Sequence, residues 1–126
     1  MAYDNTAGAV TVSASAGSDL SASQYRLVKL TADNTVDLCD GITDVPFGVL
    51  QNKPASGRAA SIMLAGISKL EAGASLSAGD IIACAADAQA QVAVATQHVA
   101  GQVIAGSSAD EICTAAINCL APSLKA

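Results

Sequence analysis

Between Gln24 and the C-terminus, short apolar runs recur every 8 to 15 residues, each closed by Gly, Asp, Ser or Pro. This rhythm constrains the fold more than any other feature of the chain. Strands need only about four to eight residues, and strands at such spacing close into small barrels or sandwiches. Residues 25–30 and 36–39, joined by the polar TADNT, read as a hairpin. Pro46 argues against helix just before it, and residues 47–50 after it read as a short buried strand. Residues 59–70 are the longest strand-like run, with Ile62 and Leu64 on one side and Ser61 and Met63 on the other. Gly66 within that run reads as a bulge or a close backbone approach. Further strands are expected at 80–83, 92–94 and 98–104.

The last element reads two ways. Ser108-x-x-Glu111 fits a helix capping box, and Ile112, Ala115, Ala116, Cys119 and Leu120 fall on one helical face. Against this stands an internal echo. GVLQNKPASGRAASIML (48–64) and GQVIAGSSADEICTAAI (101–117) share a Gly-led apolar strand, a small polar loop and a longer strand. If the echo is structural, the last element is a strand.

Residues 1–23 have a different texture, rich in Ala, Ser, Gly and Thr, with one short alternation at Val10-Thr11-Val12. So little apolar bulk is expected to stay outside a core. The segment reads as an extended N-terminal arm in front of a single β-rich domain spanning 24–126. Hydrophobic residues make up 52% of the chain, but many are alanine, and aromatics amount to 2%: Tyr3, Tyr25 and Phe47. A core of Val, Ile, Leu and Ala leaves little material for a large ligand pocket.

The net charge is −5, and the six basic residues are scattered without a stripe or interleaved aromatics, which argues against nucleic acid as a partner. There is no basic n-region followed by an apolar h-region, and no apolar run near the roughly 20 residues of a spanning helix. A soluble protein that stays in the cytoplasm where it is made is expected, with no membrane partner. The four cysteines, Cys39, Cys84, Cys113 and Cys119, form no C-x-x-C pair, and one histidine completes no zinc set. Buried free thiols are the expected state.

The run PFGVLQNKPASGRAASIMLAGISKLEAGASLSAGDII and the later VAGQVIAGSSADEICTAAINCLAP carry a resemblance. A G-[IV]-[LA]-x-N-x-P-x-x-G loop matches Gly48 to Gly57. An A-G-x-x-[IL]-x-A-G-D corner falls within Leu70 to Asp80, and a Gly-led strand matches Gly101 to Ala109. These patterns are similar to those of tailed-phage head decoration proteins, also called capsid cement proteins, over residues 24–121. The resemblance implies a mainly β fold, a small β-barrel or β-tulip-like sandwich, forming homotrimers on the outer surface of the head. It implies no catalysis and no cofactor, with the major capsid protein as partner. Such a protein assembles in the host cytoplasm, ends in the virion, and stabilises the shell against internal DNA pressure. In that role the arm is expected to add a strand to a capsid sheet edge, with Tyr3, Val10, Thr11 and Val12 as contact residues.

GISKLEAGASLSAGDII (66–82) loosely resembles the lysine-bearing hairpin of a biotinyl or lipoyl carrier, which would make Lys69 the modified residue. Its neighbours, Ser68 and Leu70, are not those a ligase reads at a hairpin tip. His98 is the sole candidate for acid–base work near neutral pH, and it reads as the polar start of a strand. No G-x-S-x-G elbow or phosphate-cradling glycine motif is present. Asp37, Asp40 and Asp44 lack the spacing and terminal Glu of a calcium loop and read as a solvated loop. No metal is expected.

Overall fold

Alternating small and branched residues that are too short in run for helices pair instead as strands. The computed structural model describes residues 5–41 and 43–125. Every regular element among them is a strand: β1 Asn5–Ala16, β2 Leu27–Ala32, β3 Thr35–Leu38, β4 Gly48–Leu50, β5 Ala59–Glu71, β6 Ile81–Cys84, β7 Ala90–Val92, β8 Gly101–Ala105 and β9 Ile112–Asn118. The hydrogen-bonded order is β1-β3-β2-β4-β5-β9-β8-β6-β7, and β1 also pairs β5. That extra pairing closes the first five strands into a ring. The second half closes in the same way, through β5-β9-β8-β6-β7 and a parallel bridge from Ala72, just after β5, to Ala90 of β7. β5 is therefore the wall common to two small barrels.

The two barrels are copies of one plan. Adding 54 to the β2–β3 register Val28↔Leu38, Lys29↔Asp37, Leu30↔Val36 gives the β6–β7 register Ile82↔Val92, Ala83↔Gln91, Cys84↔Ala90. Adding 53 to the β4–β5 pairs Val49↔Met63 and Leu50↔Ile62 gives the β8–β9 pairs Gln102↔Ala116 and Val103↔Ala115. The turns repeat as well. Leu20 N–H donates to Pro54 C=O as Leu76 N–H does to Ser107 C=O, and Gly57 N–H donates to Ala16 C=O as Asp110 N–H does to Ala72 C=O. Gly57 and Asp110 both hold positive φ, at 78° and 64°. The echo read at 48–64 and 101–117 is thus one part of a repeat that covers both barrels.

Each barrel has its own core. The first holds Ala14, Ala16, Leu20, Val28, Val36, Leu50, Ala60, Ile62 and Leu64. Their counterparts in the second barrel, Leu70, Ala72, Leu76, Ile82, Ala90, Val103, Cys113, Ala115 and Ile117, are all buried together. A ring of five strands is too narrow for bulky interiors, and so alanine serves as a core residue here. This corrects the expectation that residues 1–23 stay outside the core. In its described part the segment is extended but not detached: β1 lies antiparallel along β5 from Val10↔Ala65 to Ser15↔Ala59, and Ala14, Ala16 and Leu20 are buried.

The last element is a strand, with Cys113, Ala115 and Ile117 facing inward between β5 and β8. The helical reading fails because the capping residues close a turn instead. Ser108 N–H donates to the Glu111 carboxylate at 3.1 Å and Glu111 N–H donates to Ser108 C=O at 3.2 Å. Then the chain enters the ladder, where two neighbouring strands satisfy its backbone. The strand expected at 92–94 lies at Ala90–Val92 because the chain turns at Val94, whose N–H donates to the buried Gln97 side chain at 2.9 Å. Gly66, at φ +137°, sits where β5 passes from β1 to β9, and a Cβ there would lie 2.8 Å from Ala9 Cβ.

Candidate interaction surfaces

The open edge of β1 follows from strand alternation. Ala16 N–H donates toward β5, to Arg58 C=O, and Ser15 N–H donates the other way, to Asn34 C=O, next to β3. β3 reaches only Ser15 and Ala16. By the two-residue period, the N–H and C=O of Thr11 and Ser13 point away from β5 along an edge that no strand among the described residues covers. Residues 5–16 contain neither charge nor proline, the usual devices that blunt an edge. Of the contact residues expected from the sequence, Tyr3 lies outside the described residues. Val10 and Thr11 are exposed, and Val12 is half-buried with its side chain packed on the first core.

A second surface lies beside the first barrel. A hollow of about 350 Å³ is lined by Lys29, Leu30, Asp44, Val45, Phe47 and Pro122, among others. Lys29 Nζ donates to Asp44 at 3.0 Å and reaches Asp40 at 3.5 Å. The Asp44 hydrogen bond raises the lysine pKa. Burial works to raise the Asp44 carboxyl, but hydrogen bonds from Asp40 N–H and Lys29 outweigh it and hold it low. Asp37 faces Lys29 across the β2–β3 ladder, but its carboxylate accepts from Ser18 Oγ and Leu38 N–H instead. The three aspartates thus do not converge, and no group of three metal-binding side chains occurs among the described residues.

Lys69, His98 and the cysteines are dispersed over the fold. Lys69 lies near the C-terminal end of β5, inside the ladder and opposite Thr114, with its ammonium 5.7 Å from the Tyr25 ring centroid. A strand walled on both sides does not present a lysine as a hairpin tip does. His98 makes a backbone bridge to Leu124, and its buried Nδ1 has no hydrogen-bond partner among the described residues to orient the ring. All four cysteines are free and buried. Contact with the Cys84 thiol, and then burial, push the Cys39 thiol far up; burial alone pushes Cys119 up to about 12. None is poised as a nucleophile.

A third feature, which the sequence reading missed, is the seam between the barrels. Leu27, Cys39 and Val49 lie on the outer face of the first barrel, opposite in alternation to Val28, Leu38 and Leu50, yet they are buried in the second core. There the start of β2 is wedged into the second barrel. Glu71 N–H donates to Tyr25 C=O at 2.9 Å, Leu27 N–H donates to Ala88 C=O at 2.9 Å, and Arg26 pairs with Glu71. Only the repeat's register, read from the strand pairing, makes the seam's counterpart on the other barrel recognisable.

No family model matches the chain, and no curated protein matches it. Among solved structures, the chain is similar to the N base of head fiber gp8.5 of bacteriophage phi29. The TM-score is 0.69 at 20% sequence identity, and the match covers 94% of this chain and 99% of that one. At that identity the likeness is one of fold, and it takes in both barrels.

Proposed function

We propose that this chain is a structural protein of a phage head, seated on the outer capsid surface as a decoration or cement protein. The observation that carries the reading is the likeness over nearly its whole length to the base of a phage head fibre. The dispersal of Lys69, His98 and the cysteines supports a role without catalysis. In this reading the partner is the major capsid protein, and the protein works as a homotrimer. Three attachments held by one oligomer release far more slowly than one, so modest contacts brace neighbouring capsid subunits. The open β1 edge is the element fitted for attachment: a capsid strand laid along Thr11 and Ser13 gains main-chain hydrogen bonds, with Val10 beside it. Assembly takes place in the host cytoplasm and the product is carried in the virion.

The test uses heads of the encoding phage prepared without this protein. Added protein should cosediment with them and raise the temperature at which they release DNA. Ser13→Pro removes an outward N–H that no strand uses, so it should abolish binding with little change in the melting temperature of the free protein. Protein that fails to bind such heads at all would refute the reading.

A further inference from the structure

The repeat makes a specific statement about self-association. In the seam, Leu27 and the thiol of Cys39 on the first barrel meet Ala88 and Cys84 at the end of the second. All four are buried. Adding 54 to the outer-face residues gives Ile81 and Ala93 on the second barrel. Subtracting 54 from their partners gives Asn34 and Leu30 on the first. The mapping is anchored by equal hydrogen bonds, since Cys39 N–H donates to Leu27 C=O as Ala93 N–H does to Ile81 C=O. Both Asn34 and Ala88 hold positive φ, at 48° and 69°. Ala93 is covered within its own barrel, at 6%, but the other three counterparts are bare: Asn34 is exposed, Ile81 is 36% exposed where Leu27 is 0%, and Leu30 is 52% exposed where Cys84 is 2%. Each molecule therefore carries one filled copy of this interface and the two unfilled halves of another.

We infer that the outer face of the second barrel, at Gly79, Asp80 and Ile81, seats against the end of the first barrel of a second copy, repeating the internal seam between molecules. The receiving site is present as a hollow of about 280 Å³ lined by Ser15, Asn34, Gly57 and Arg58, among others. Its counterpart in the second barrel is the place where Tyr25 and Arg26 are wedged. In the seam Arg26 meets Glu71; across the new contact their counterparts are Asp80 and Ser15, and the exposed Arg58 beside Ser15 complements the carboxylate. The Ser15–Asn34 backbone bond, 2.8 Å, opens and is replaced by two. Ser15 N–H then donates to Gly79 C=O, and Ile81 N–H donates to Asn34 C=O, as Glu71 and Leu27 do internally.

Such a contact is heterologous, so it closes into a ring or runs on as a filament. Closed as the trimer proposed above, it sets six related barrels around one axis. The inference rests on the self-association part of that reading and not on head binding.

Cysteine cross-linking in solution, without heads, tests it. The native thiols are buried, so only introduced ones react. Ser15→Cys mixed with Asp80→Cys should give a disulfide-linked dimer on a non-reducing gel, while either variant alone should not. The double variant should give a covalent trimer for a ring or a ladder for a filament, and both support the contact. Since Asp80 also accepts a turn hydrogen bond from Ser77 N–H, Arg58→Glu provides a second test at an exposed side chain. It should weaken self-association by about tenfold in sedimentation, with the melting temperature of the monomer unchanged. Same-site dimers, oligomers that neither cross-link nor respond to Arg58→Glu, or a protein that stays monomeric at its solubility limit would overturn the inference. Head binding that persisted beside any of these would leave the functional reading standing.

Discussion

Leu20 lies in the segment that composition alone would leave outside the core, so its truncation separates the two accounts of residues 1–23. It is 1% exposed, packed with Ala14, Ala16 and Val36 in the first core. Leu→Ala at such a site costs about 2–5 kcal/mol, the spread depending on how far the cavity collapses. Because Leu20 sits in a connection after β1, where the backbone has room to relax, the lower half of that range is expected. An unfolding entropy of roughly 2.1 cal/mol/K per residue gives about 0.26 kcal/mol/K for this chain, so each kcal/mol lowers Tm by about 4 °C. Leu20→Ala should therefore lower Tm by about 8–13 °C in scanning calorimetry. Leu76→Ala, its counterpart in the second barrel, should do the same, being 4% exposed in an equivalent connection. The two cores are separate, so the double variant should show the sum within about 0.5 kcal/mol. A Leu20→Ala protein within a degree or two of the parent, beside a strongly destabilised Leu76→Ala, would refute the placement of residues 14–20 in the core.

The remaining expectations rest on single features. Gly101→Ala should destabilise the fold by at least about 1–3 kcal/mol, because the added Cβ would fall on the Ala116 carbonyl, which is fixed backbone; denaturant titration would read this as a lower midpoint with an unchanged slope. Burial raises the thiols of Cys39, Cys113 and Cys119 above their ordinary value of 9.0, with contact to Cys84 the larger cause at Cys39, so the unfolded chain loses their protons first as pH climbs. Stability is thus full below pH 9 and falls above it, by up to about 1.4 kcal/mol per pH unit for each thiol, with the Cys119 contribution exhausted near pH 12. Urea midpoints measured between pH 8 and 10.5 should show this decline, and Cys119→Ser should make it shallower. A thiol reagent at pH 8 should label no cysteine in the native protein and all four in denaturant, as judged by intact mass.

Class and strand content were legible in the sequence because they depend on local information. Short runs closed by turn residues allow little besides strands, and the hairpin at 25–39, the strand after Pro46 and the long run from Ala59 all follow from period-two alternation and Gly or Pro punctuation. The echo between 48–64 and 101–117 was legible too, through Gly48 and Gly101. In both places a Cβ would strike the carbonyl of the facing strand, so only glycine fits. The last element stayed ambiguous because Ser108 and Glu111 favour a turn that can open a helix or close a hairpin. The choice fell to β5 and β8, distant in sequence, which offered Ile112–Asn118 two ladders at once.

Tertiary structure alone decided the fate of residues 10–20. Alanine and serine carry too little transfer free energy to mark a core by composition, yet a narrow five-stranded ring needs small side chains between its leucines, valines and isoleucine, and Ala14 and Ala16 supply them. The remainder of the repeat is equally invisible along the chain, where counterparts such as Val28 and Ile82, or Tyr25 and Gly79, share a backbone role and not an identity. What is repeated is the pattern of hydrogen bonds and positive φ, and side chains constrain that pattern only where the backbone is crowded. The bare faces at Ile81 and Leu30 emerge from the same cause: each is an ordinary apolar residue in sequence, and only the filled seam at Leu27 and Cys84 gives their exposure a meaning.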